Sequence, residues 1–104
     1  MSVRLIVRSI AERDMAKVSQ WYERRSVGLG AHFLRCADAA ISLVERQPEA
    51  GPIYYQHYHR VLIPRFPFGV FYVFESETVA VLAVLHLARD PNKIQRVLDR
   101  RQGS

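Results

Sequence analysis

The residues that could do chemistry gather in the second half of the chain. They are His57, His59, Arg60, Arg65, His86 and Arg89, followed by Lys93, Arg96, Arg100 and Arg101. A histidine titrates near neutral pH and can move a proton. Arginines stabilise charge on a phosphate through paired N–H donors. A strand-end histidine among arginines therefore suits phosphodiester cleavage, the histidine moving the proton and the arginines holding the phosphorane's extra charge. Arg60, Arg65, His86 and Arg89 are the candidates for that work. The cations Arg60, Arg65, Arg89, Lys93, Arg96, Arg100 and Arg101 suit docking to an acidic target equally well, and spacing alone does not separate the two.

Each of these residues also has a plainer reading. Arg60 and Arg65 are five apart, so on one regular strand they face opposite sides, and both fit charges that guard a sheet edge. His86 ends an apolar run, and on a regular strand it shares a face with Ala80, Leu82 and Val84. A hydrogen-bonded structural histidine would sit there too. Arg89 falls on the loop beyond, where it could meet a phosphate or pair with Asp90. His57 and His59 are two apart, point to opposite faces and do not easily share an ion. No metal-ligand cluster, glycine-rich phosphate loop, or serine or thiol nucleophile motif appears, so neither metal nor cofactor is expected.

The charge balance points to an acidic partner, nucleic acid or protein. Thirteen Arg and two Lys against four Asp and six Glu give a formal +5. Arginine in such excess favours bidentate recognition of phosphate or carboxylate. At 104 residues, 49% of them hydrophobic, the chain is read as one domain over 1–104. The lone Cys36 makes no disulfide within the chain, which points to a reducing cytoplasm, and it reads as small core filler. The apolar run Val79 to Leu85 is far short of the roughly 20 residues that span a bilayer. The opening MSVRLIVRS has too short an apolar run for a signal peptide. A soluble cytoplasmic protein with no membrane partner is expected.

The elements that must position these residues follow from pattern. Val3 to Arg8 reads as a short strand. Ser9 opens a helix, with Glu12 at capping-box spacing, and Ala11, Met15, Val18 and Tyr22 recur at helical period until Arg24 to Ser26. Gly28-Leu29-Gly30 makes a turn. A second helix from Gly30 to Gln47 places Phe33, Ala37, Ala40, Ile41 and Val44 on one face, and Pro48 stops it. Ile53 to His59 reads as an edge strand, and Arg60 to Phe66, Phe68 to Phe74 and Thr78 to His86 as further strands, antiparallel across short turns. The last two are apolar on both faces, so both faces are covered. Pro91 to Arg101 reads as a short helix with Pro91 in its first turn. The expected fold is α+β: an N-terminal strand, a helical hairpin packed on an antiparallel sheet, and a short C-terminal helix.

In order and spacing, Asp14, Trp21-Tyr22-Glu23, Gly28-Leu29-Gly30, Phe33, Pro48, Arg60 through Arg65-Phe66-Pro67-Phe68, and Leu82-Ala83-Val84-Leu85-His86-Leu87-Ala88-Arg89-Asp90-Pro91 resemble the RelE/ParE superfamily of bacterial type II toxins. The resemblance covers nearly the whole chain. It implies a growth-inhibiting toxin, neutralised by a cognate acidic antitoxin in a toxin–antitoxin hetero-oligomer. RelE-like members cut mRNA on the ribosome, and ParE-like members poison DNA gyrase. Residues 53–60 have no lysine and the segment after Pro91 has no tyrosine or histidine, unlike the RelE-like set. Arg60, Arg65 and His86 alone carry over. The RFPF and LHLARDP stretches resemble the ParE and plasmid-stabilisation branch, which implies gyrase poisoning. A RelE-like ribosome-dependent endoribonuclease is the alternative, and a non-toxic basic interaction domain the second alternative.

Overall fold

In a computed structural model, which describes residues 3–103, the two most apolar segments become the middle of one sheet. The strands are β1 (Arg4–Val7), β2 (Ile53–Tyr55), β3 (Tyr58–Leu62), β4 (Phe68–Glu75) and β5 (Thr78–His86). The helices are α1 (Ser9–Arg25), α2 (Leu29–Arg46) and α3 (Pro91–Gln102). The sheet order is β1-β5-β4-β3-β2. Strands β2 to β5 pair antiparallel in succession, and β1 lies parallel to β5 at the edge. This is the α+β architecture read from the sequence, with one parallel pairing added.

Both faces of β4 and β5 are covered, which is why these strands carry so few polar residues. On one face α1 and α2 set Ala11, Met15, Phe33, Ala37, Ile41 and Val44 against Val70, Tyr72, Val79, Val81 and Val84. On the other, α3 sets Ile94 and Leu98 against Phe71, Leu82, Ala83 and Leu85. Full burial of a side chain of this size contributes about 1.5–3 kcal/mol, and hydrogen bonds from Tyr58 to Asp99 and from Arg101 to Asp14 tie the helix down further.

Four local details differ from the sequence reading. The expected edge strand 53–59 is a hairpin: the chain turns at Gln56, whose φ is 53°, and β2 pairs back on β3. Strand β3 stops at Leu62 because Pro64 cannot continue the ladder. Arg65 is therefore not on the strand with Arg60; it lies in the following loop at φ 71°. The capping box is absent. Ser9 is already helical, Arg8 holds the N-cap position with its side chain turned to Arg101 O and not to the helix's first N–H groups, and its carbonyl accepts from Ala11 and Glu12 N–H. The Arg8 N–H bonds Val81 O, so β1 runs into α1 with no loop in which a serine cap could form.

The fourth difference is a bulge. Phe71 pairs with Ala83 but Tyr72 pairs with Val81, so Leu82 is an extra residue in β5. Leu82 and Ala83 both face α3, and the alternation is inverted beyond them. His86 therefore shares its face with Val84, on the α1 side of the sheet, and not with Ala80 and Leu82 as a regular strand requires.

Candidate functional site

The structure does not bring together all four residues proposed for phosphodiester cleavage: Arg60 lies on the other side of the sheet from His86, which shares a cleft with Arg89. Arg60, opposite Phe71 in the β3–β4 ladder, lies on the α3 side of the sheet. Its guanidinium carbon is 4.8 Å from the centre of the Tyr54 ring, and its aliphatic stem covers Gly69, where an added Cβ would sit 3.1 Å from it. That is the work of a long side chain sealing apolar surface. Arg65 is exposed on its loop. Its neighbour Phe66 anchors the loop by edge contacts to Tyr22 and Phe33 at 4.9 and 5.2 Å.

His86 is exposed at the end of β5, on the opposite side from Arg60. Its ring meets Phe68 edge-on at 4.9 Å. Its Nδ1 accepts a 3.0 Å hydrogen bond from the Ala88 N–H. In the neutral ring that bond occupies the one lone pair, so the proton sits on Nε2. The open nitrogen is then a donor in this arrangement. His86 and Arg89 border one cleft of about 270 Å³, together with Lys17, Asp14 and Arg101.

The docking candidates divide as well. Arg89, Lys93, Arg96 and Arg100 line one cleft of about 430 Å³ with Val97. Lys93, Arg96 and Arg100, three and four residues apart, form one stripe along α3, and Arg89 lies just before the helix begins. Arg101 points elsewhere: its Nη1 donates to Asp14 Oδ2 at 2.6 Å and to Leu82 O at 3.0 Å. His57 and His59 are likewise absorbed by the fold. His57 bonds Gln102 and stacks on Tyr58; His59 bonds Gly51 O and stacks on Tyr72. Cys36 is half-buried beside the hairpin core, as core filler should be. Among the described residues no three His, Cys, Asp or Glu side chains come together to hold a metal ion. No described helix is long and apolar enough to cross a membrane.

Sequence reasoning missed a second surface. Lys17, Val18, Trp21, Tyr22, Phe68 and His86 line a largely apolar groove of about 370 Å³. Trp21 is 43% exposed there. The available signal was Lys17 and Trp21 at i and i+4, one helical turn apart on a flank away from the buried face.

The residues that carried the resemblance hold the fold together. Asp14 accepts from the Val84 N–H at 2.9 Å. Glu23 accepts from Gly28 and Gly30 N–H and so ties the hairpin turn. The Pro48 carbonyl accepts from the Tyr72 hydroxyl at 2.7 Å. Phe33, Phe66 and Phe68 meet as one aromatic cluster. A motif made of such positions identifies a fold more surely than a target.

Comparison with known proteins agrees. Residues 5–91 match a family described as the ParE toxin of the type II toxin–antitoxin system, parDE. No curated protein sequence matches. A solved structure titled as a chromosomal ParDE toxin–antitoxin system from P. aeruginosa has the same fold, with a TM-score of 0.72 at 12% identity over 83% of this chain and 97% of that one. With a single family covering most of its length and the matching architecture, the chain belongs to the ParE toxin family of type II toxin–antitoxin systems.

Proposed function

We propose that this chain inhibits bacterial growth by binding its target, as a poison of DNA gyrase in the cytoplasm, and is neutralised by a cognate acidic antitoxin. The observation that carries this reading is the dispersal of the cleavage candidates. Arg60 and His86 lie on opposite sides of the sheet, and His86 Nδ1 is already engaged by Ala88. Acid–base catalysis needs a base within hydrogen-bond reach of the proton it takes. A binding toxin needs only a surface complementary to its target, and the α3 cleft lined by Arg89, Lys93, Arg96 and Arg100 suits the acidic groups of a gyrase–DNA complex. The apolar groove beside Trp21, flanked by Lys17, suits an amphipathic acidic segment of the antitoxin.

Two assays on the purified protein test the reading. Gyrase supercoiling of relaxed plasmid is expected to fall as toxin is added, with broken DNA accumulating. Programmed ribosomes with the same protein are expected to keep their mRNA intact. Cut mRNA on the ribosome, with normal supercoiling, would overturn the proposal in favour of the RelE-like alternative. That alternative draws on one feature, the cleft that His86 shares with Lys17 and Arg89.

A further inference from the structure

We infer that the α3 cleft binds the phosphate backbone of duplex DNA, without reading its sequence. This deepens the proposed function, in which the target enzyme holds DNA, and rests on it only for its biological setting. Four cations border the cleft, three of them arginines. The two carboxylates on or next to α3 are engaged elsewhere: Asp90 accepts from the Asn92 N–H as helix cap, and Asp99 accepts from the Tyr58 hydroxyl. The four cations outnumber these two carboxylates.

The shape and lining favour nucleic acid over protein. A stable protein contact centres on a buried aromatic or aliphatic anchor in a pocket. Among the described residues, the one apolar side chain lining this cleft is the half-buried Val97. Apolar anchorage lies instead at the Trp21 groove on α1. Backbone binding to DNA needs a row of cations and no apolar anchor. From Lys93 to Arg100 the helix rises about 10 Å at 1.5 Å per residue, the length of duplex axis that carries about three phosphates of one strand at 3.4 Å each. The cleft has no aromatic lining on which a base could stack, so single-strand recognition by stacking is not its chemistry.

The test is fluorescence anisotropy with a labelled duplex of random sequence and the full chain. Binding is expected at low salt, with log K falling against log salt at a slope of about −3, for three to four neutralised phosphates. The K93E/R96E protein is expected to lose at least ten-fold in affinity, and K93Q/R96Q, which removes charge without reversing it, several-fold. The R13E/R24E protein, with the same change in net charge on exposed positions of α1, is expected to stay within about two-fold of wild type. Circular dichroism checks that each variant is folded. No binding at low salt, or equal losses in the α1 and α3 variants, would overturn the inference. So would polyglutamate of matched charge binding as tightly as DNA, which would give the cleft to an acidic protein. Because bare DNA is used, such a failure leaves gyrase poisoning to be judged by its own supercoiling assay.

Discussion

Asp14 on α1 and Arg101 on α3 are 87 residues apart and meet in a two-pronged ion pair at 2.6 and 3.1 Å. They meet where β1 has ended and β5 continues. The last β1 pairing is Val7 with Val81. Beyond it, Asp14 accepts from the Val84 N–H and Arg101 donates to Leu82 O. The pair thus replaces the missing strand and satisfies backbone groups beside the bulge.

Removing either partner strands the other, together with a backbone group. Hydrogen bonds to charged groups contribute about 1.5–3 kcal/mol, and the side chains here are 15% and 18% exposed. Asp14→Ala and Arg101→Ala are each expected to lower unfolding stability by about 2–3 kcal/mol in urea titration. The double variant is expected to lose clearly less than the sum, since one interaction is removed once. Additive losses would mean that the two side chains act separately.

The helix hairpin has an equally local weak point at Gly30. A Cβ there would sit 2.5 Å from Ser19 O and 2.8 Å from Ser19 Oγ. Ser19 O is backbone on α1, so relief requires the helices to part. Gly30→Ala is expected to cost about 2–3 kcal/mol despite the better helix propensity of alanine, as overpacking does. Thermal melting is the measurement. A rise in Tm would show that the hairpin tolerates the wider spacing.

The sequence showed the fold where pattern and burial coincide. Phe33, Ala37, Ala40, Ile41 and Val44 at helical period are all buried, and the apolar runs of β4 and β5 lie between two covers. It was silent where the cause is distant or uniform. In a run such as AVLAVL, an extra residue leaves no polar mark when it slips, so the bulge at Leu82 and the reversed face of His86 were invisible. The run IYYQHYH has strand-forming residues on both sides of its turn, so the break at Gln56 did not stand out. Arg101 looked like surface charge because Asp14 is so far away in the chain. Of the candidate site, the cations of the last helix were picked out by residue type, but Arg60, Arg65 and Arg101 were grouped with them, and the groove at Trp21 needed Phe68 and His86 brought up from another element.

Alkaline pH gives a separate check on how α3 is held. The Tyr58 hydroxyl donates to Asp99 at 2.8 Å. Burial first, and then this bond and the Asp99 charge, push its pKa up from 10.0 to about 12. The fold therefore favours the protonated phenol. That contribution is complete below pH 10, where folded and unfolded chains are both protonated. It is lost as pH rises from about 10 to about 12, because the unfolded chain releases its proton first, with a limiting slope of about 1.4 kcal/mol per pH unit. Burial raises the phenols of Tyr22 and Tyr72 in the same direction. The urea midpoint is expected to fall between pH 9 and pH 11, and Tyr58→Phe to fall less steeply. Equal slopes in the two proteins would remove Tyr58 as a source.

His86 decides between binding and catalysis by the size of its effect. Its ring bonds the Ala88 N–H and meets Phe68, so His86→Ala removes one hydrogen bond and one edge contact. A stability loss of about 1 kcal/mol follows from contacts of this kind. Proton transfer by a positioned side chain is worth about 10²–10⁴ in rate. For a binding toxin the concentration that halves gyrase supercoiling is expected to move by less than about three-fold in His86→Ala, with growth arrest on induction retained. For a ribonuclease the same substitution would abolish toxicity in a protein that still melts cooperatively. A hundred-fold loss in that folded variant would return His86 to the catalytic role.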